Sequence, residues 1–158
     1  MKSVEFIKEF IAARKKWDSI LATFQDDDFI KPGVIAGMSL KDLIAHIAWY
    51  EEQMVELLST RLLTGSELWN LKDDERNLAI HEIYMDRELD KVQAESKKIN
   101  NKLFEELNKL TDDELVNPGN FEGMPEDWVP WKLIAGNSID HYQHHYNDLE
   151  NWYTFLYE

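Results

Sequence analysis

Three of the chain's five histidines, His141, His144 and His145, fall within five residues in the run NSIDHYQHHYNDLENW from Asn137 to Trp152. At 100° per residue this run reads as a helix on which Ile134, Ser138, Tyr142, His145, Leu149, Trp152 and Leu156 share one broad stripe, the face turned to a core. His141 sits at the edge of that stripe, four residues before His145, so the two rings stand one above the other. They are near enough to share one metal ion or one buried ligand. His144 points well away. A further histidine, His46, lies with Tyr50 and Leu57 at the edge of an earlier apolar face made by Leu40, Leu43, Ile47, Met54 and Leu58.

An imidazole buried without a partner is destabilising, so three rings at core-facing or core-edge positions need something polar to meet. A divalent metal (Zn, Ni or Fe) held by His46, His141 and His145 is one answer, and such a set leaves coordination positions open for water or substrate. The other answer is that each ring bonds a nearby Tyr, Asn or carboxylate. His81 projects into a third apolar stripe and reads first as a hydrogen-bonded core histidine, with a fourth ligand as the alternative. Tryptophans at helical spacing are first of all core, but Trp69, Phe121, Trp128 and Trp131 sit on or beside loops and are candidate pocket walls. The chain has no glycine-rich phosphate loop, no Gly-x-Ser-x-Gly elbow and no serine placed beside a histidine, which leaves a serine triad without support.

The elements that must position these residues are helical. Phe6, Ile7, Phe10, Ile11, Trp17, Ile20, Leu21 and Phe24 recur at helical spacing behind Ser3, a candidate cap, and Asp26 to Gly33 end that helix. Ser39 and Asp42 have capping-box spacing and open a second helix, expected to run to about Leu63 with Gly65 stopping it. The polar connector from Thr64 to Asn77 carries Leu68 and Trp69, which fold back over the bundle. A third helical region extends to about Leu110, with Leu78, Met85, Leu89, Val92, Ile99, Leu103, Leu107 and Leu110 on one side and a break expected near Asp86. The loop from Thr111 to Val129 precedes Pro130, which suits the first turn of a last helix. Strand-like alternation and internal repeats are absent. The expected fold is all-α, a four-helix bundle in one domain over residues 1–158, with long connections after helices 2 and 3.

Composition narrows the function classes. A net charge of −14 disfavours any general grip on nucleic-acid phosphates or anionic lipid. With no cysteine, disulfides, thiolate metal sites and a cysteine nucleophile are excluded. The N-terminus lacks the apolar core of a signal peptide and no 18 apolar residues run together, so a cytoplasmic protein without a membrane partner is expected.

The stretch MSLKDLIAHIAWYEEQM, Met38 to Met54, resembles the second-helix signature of DinB-like four-helix bundle proteins, roughly Trp-Ser-x-x-Asp-x-x-x-His followed by an aromatic and Glu. His46 takes the histidine position. The connector pair Trp69-Asn70 and the run Asn137-Ser138-x-x-His141-Tyr142-x-x-His145 are similar to the ClbS/DfsB branch, the colibactin self-protection relatives. This resemblance implies a divalent metal on His46, His141 and His145, a pocket that includes Tyr50, Trp69, Asn70, Asn137 and Tyr142, and the homodimer usual in the family. Some DinB-like proteins are thiol-dependent transferases. In the ClbS-like branch the implied activity is hydrolysis or capture of an electrophilic cyclopropane. Met38 and Tyr50 depart from the pattern, each standing where Trp is usual, so the pocket wall differs. Three readings stay open: a metal-assisted hydrolase or transferase acting on a small electrophile, a protective protein that sequesters a small toxic molecule, and a structural dimeric bundle.

Overall fold

Ser39 and Asp42 open the central helix as their spacing predicts. The Asp42 amide donates to Ser39 Oγ at 3.2 Å and the Ser39 amide to Asp42 Oδ2 at 2.9 Å, two otherwise unpaired donors satisfied reciprocally. In the computed structural model, which describes residues 1–158, the helices are α1 (Ser3–Leu21), α2 (Leu40–Thr60), α3 (Asp73–Tyr84), α4 (Leu89–Asn108), α5 (Asp112–Val116), α6 (Pro130–Gly136) and α7 (Ile139–Tyr157). Short 3-10 turns occur at Asp26–Ile30, Glu67–Asn70 and Pro118–Asn120, and no strand forms beyond isolated bridges. The long helix α2 packs along α4, and α1 along α7, with α1 also touching α4. Four long helices therefore enclose one apolar cluster, the bundle expected from the sequence. The backbones of α2 and α7 approach less closely, and side chains bridge the gap.

Several boundaries depart from the sequence pattern for local reasons. Ser3 is the first helical residue, not the cap: its amide donates to Asp112 Oδ1 at 2.7 Å and its hydroxyl to the Leu110 carbonyl at 3.0 Å, tying α1 to the end of α4. Helix α2 stops at Thr60, short of Leu63, because Arg61 turns left-handed at φ 60°. That conformation disfavours a side chain by about 1–2 kcal/mol. Long-range contacts hold it there: Arg61 pairs with Glu114 at 2.6 Å and its carbonyl accepts the Glu122 amide at 2.8 Å. The break near Asp86 falls between Tyr84 and Leu89, where Lys41 Nζ donates to the Met85 and Arg87 carbonyls. It re-aims α3, which buries Arg76, Ile80 and Tyr84, while Leu78 and Met85, expected on the core side, are 58% and 47% exposed.

The last helix is not continuous from Pro130. It breaks at Asn137 and Ser138, whose side chains take carbonyls that helical amides would otherwise bond: Asn137 Nδ2 donates to Leu133 O at 2.9 Å and Ser138 Oγ to Ile134 O at 2.7 Å. Helix α7 thus starts afresh two residues before His141.

A buried polar network joins all four long helices. Arg14 of α1 meets Glu51 of α2 at 2.8 Å and donates to Ser96 of α4 at 3.2 Å. Asn100 Nδ2, also from α4, donates to Glu51 Oε2 at 3.0 Å and to the Tyr142 hydroxyl of α7 at 3.1 Å. Glu51 is completely buried, so an axial slip of any one helix would strand a charge in the core. This fixes the heights of α2 and α7, and with them the heights of His46 and His141.

Candidate metal centre

His46 comes from the second turn of α2, and His141 and His145 from the first two turns of α7. The Nε2 atoms of His46 and His141 stand 3.0 Å apart, and one ring nitrogen from each of the three histidines lies within 4.8 Å of the others. The His145 Nδ1–H donates to Asp148 Oδ2 at 2.9 Å, which fixes the tautomer and leaves Nε2 with the free lone pair. Burial, and then the charges of neighbouring rings, holds His46 down at about 3 and His141 at about 2. His145 is lowered too, by burial, with Asp148 opposing.

The three rings sit in a cleft of about 730 Å³. Tyr50 packs edge-on against His46 and His141, with ring centres 5.1 and 4.9 Å away. Its hydroxyl donates to Asn77 Oδ1 at 2.7 Å and accepts from Arg76 Nε at 3.2 Å, so the phenol is locked. The Arg76 guanidinium is paired with Asp73 and lies 4.8 Å from the Trp69 ring centre. Trp69 in turn donates its indole N–H to Gln53 Oε1 at 3.2 Å and rests on Gly65, whose φ of 59° and missing Cβ leave room for the ring. The turn from Ile35 to Met38 and Asn137 complete the lining.

The structure therefore brings His46, His141 and His145 together and puts Tyr50, Trp69 and Asn137 on the same cleft. It does not bring Asn70 or Tyr142 there. Asn70 is exposed at the end of its 3-10 turn, and Tyr142 turns its hydroxyl to Asn100 of α4, into the Arg14–Glu51 network. His144 is exposed and reaches only the rim, its ring centre 4.8 Å from that of His145. His81 is neither a member of the cluster nor a hydrogen-bonded core residue. It lines the cleft, with Nδ1 buried, unpaired and 3.7 Å from Asp42 Oδ1. Phe121 is buried beneath Arg61, and neither Trp128 nor Trp131 lines the cleft.

Arg76, Asn77 and Asp148 were not singled out from the sequence. Asp148 was within reach of sequence reasoning, since a carboxylate three residues after a histidine shares its helix face. Arg76 and Asn77 carried no such signal, because the break near Asp86 sets how α3 turns.

A divalent ion fits this donor set. A tetrahedral site with Zn–N near 2.0–2.1 Å spaces its nitrogens by about 3.3 Å. The observed 3.0 Å pair and 4.8 Å limit bracket that value, so an ion would need the widest pair to close by at most about 1.5 Å. Without an ion one Nε2–H donates to the other Nε2 at 3.0 Å; a divalent ion between the rings would instead take the lone pairs of both neutral imidazoles.

Sequence comparison gives the class of protein. The profile of the DinB superfamily matches residues 9–149, and the chain belongs to that superfamily. Curated protein sequences give no match. Among solved structures it is similar to DfsB, described as a sibling lethal factor precursor, at TM-score 0.83 and 12% identity over 100% of this chain and 98% of that one. It is also similar to the colibactin self-resistance protein ClbS in complex with double-stranded DNA, at TM-score 0.78 and 15% identity over 95% and 94% of the two chains. An uncharacterised protein of Escherichia coli UTI89 matches at TM-score 0.78 and 18% identity over 97% and 93%. At these identities the likeness is one of fold.

Proposed function

We propose that the chain is a metal-assisted enzyme that takes up a small electrophilic molecule and detoxifies it in the cleft over His46, His141 and His145. The observation that carries this reading is the convergence of three imidazoles, held neutral by burial, on a cleft large enough for a drug-sized molecule. These three residues would hold the ion, which when bound supplies Lewis acidity and open coordination positions. The rest of the chemistry belongs to the chain. Asp148 keeps the His145 proton on Nδ1, Tyr50 screens the cluster from water on one side, and Trp69 backed by Arg76 offers a flat wall for a planar ligand.

A small strained-ring electrophile, styrene oxide, tests this. Metal-reconstituted wild-type protein consumes it, with the His141→Ala protein at least tenfold slower. Equal rates in the two proteins contradict the reading.

Sequestration without turnover is the second reading. It is favoured by the rigid wall of Tyr50, Arg76, Asn77 and Trp69, each fixed by a hydrogen bond or a stacked partner. Saturable binding of styrene oxide without its consumption would select it. The DNA in the ClbS complex does not extend to this proposal, because a net charge of −14 opposes a phosphate backbone. We further propose a cytoplasmic homodimer; no helix is long and apolar enough to cross a membrane. Light scattering that gives a monomer mass at micromolar protein removes the dimer and leaves the site reading intact.

A further inference from the structure

A second cavity, of about 290 Å³, adjoins the histidine cleft, and Trp69 is the one residue that lines both. Its walls are Met54, Leu57, Leu63, Trp69, Trp128 and Leu133. The polar atom best placed to orient a ligand there, Gln53 Oε1, already accepts two bonds, from the Ser66 amide and the Trp69 indole, each at 3.2 Å. No Lys, Arg or His lines the cavity, and the one charged lining residue is Glu56, which is exposed. An anion would find no cationic side chain there and a carboxylate to repel it. Trp128 leaves an indole 42% exposed beside this hollow, apolar surface that a ligand would remove from water.

We propose that this cavity is a second binding site, for a neutral aromatic molecule of about ten to fifteen non-hydrogen atoms, the size its volume admits. The volume is too small for the apolar face of a partner helix or a second copy of the chain. Two indoles, Trp69 and Trp128, supply flat faces for an aromatic ring. Occupancy would reach the cleft through Trp69, on which the cleft residue Arg76 stacks. The site does not depend on the histidine cluster.

The test is an NMR titration with 2-naphthol, neutral at pH 7, read at the indole N–H signals of Trp69 and Trp128 in the full chain. Both signals should shift saturably, with the same affinity in wild-type protein and in the His141→Ala variant. Thr64→Trp, which plugs the exposed mouth, and Trp128→Ala, which removes a wall, should each weaken binding at least tenfold. Both positions are exposed, so the fold tolerates the changes. The anionic 2-naphthoate should bind at least tenfold more weakly than 2-naphthol. The proposal is overturned if no saturable shift occurs up to millimolar 2-naphthol, if neither Thr64→Trp nor Trp128→Ala weakens it, or if His141→Ala abolishes it, which would place the probe in the cleft. Equal affinity for 2-naphthoate would overturn the assignment of a neutral ligand.

Discussion

His46 and His141, separated by 95 residues of chain, face each other nitrogen to nitrogen at 3.0 Å across the gap between α2 and α7. Neither ring has a carboxylate to meet. His145, the third member, does have one in Asp148. This asymmetry gives the first prediction. Asp148→Asn should weaken divalent-metal binding by about 10–100-fold, the usual effect of losing a carboxylate behind a histidine ligand. His144→Ala should leave binding within about twofold of wild type, because that ring reaches only the rim. Calorimetric titration with zinc checks both, and a His144→Ala loss as large as that of Asp148→Asn would contradict the assignment.

The second prediction concerns the metal-free protein and acid. Burial holds His46 at about 3 and His141 at about 2, whereas both rise to the ordinary value near 6.5 when the chain unfolds. The unfolded state therefore binds more protons, and stability falls as pH falls below about 6.5, continuing until about pH 3. Each ring that stays neutral contributes a loss of about 1.4 kcal/mol per pH unit. Urea unfolding of chelator-treated protein at pH 7 and pH 5.5 should show a drop of about 2.5 kcal/mol from these two rings, to which His145 adds, and the His46→Gln variant should show a drop smaller by about 1.2 kcal/mol. An identical drop in that variant would show that other groups are responsible.

Much of the bundle was legible because its signals are local. Ser39 with Asp42, Pro130 at the start of α6 and the break near Asp86 each need only neighbouring residues to read. The errors arose where distant chain decides. Arg61 ends α2 early because Glu114 and Glu122 hold it, and Ser3 is drawn to Asp112. The His46, His141 and His145 positions were readable as polar residues at core-facing or core-edge positions, while their wall was not, since Arg76 and Asn77 depend on how α3 turns after the connector. The Arg14–Glu51 pair was missed although it left a trace: each charge sits four residues after a core residue, Phe10 and Ile47, inside an apolar stripe.

That pair supplies the third prediction. Glu51→Ala leaves the largely buried Arg14 with only the half-exposed Asp18 at 3.0 Å and takes an acceptor from Asn100, and should destabilise the fold by about 1.5–3 kcal/mol in urea unfolding. Replacing both partners by apolar residues, Arg14→Met with Glu51→Leu, should recover most of the loss. A Glu51→Ala effect below about 1 kcal/mol would mean that water reaches Arg14 and that the network does not set the helix heights.

The most direct test of the three-histidine site is the metal content of protein purified without a histidine tag and measured by mass spectrometry. About one zinc, nickel or iron ion per chain is predicted for the wild type, with the ion lost in the His46→Ala protein even though that variant keeps its helical circular dichroism. Wild-type protein that holds no divalent metal after reconstitution, or a His46→Ala protein that holds as much as the wild type, would contradict the account.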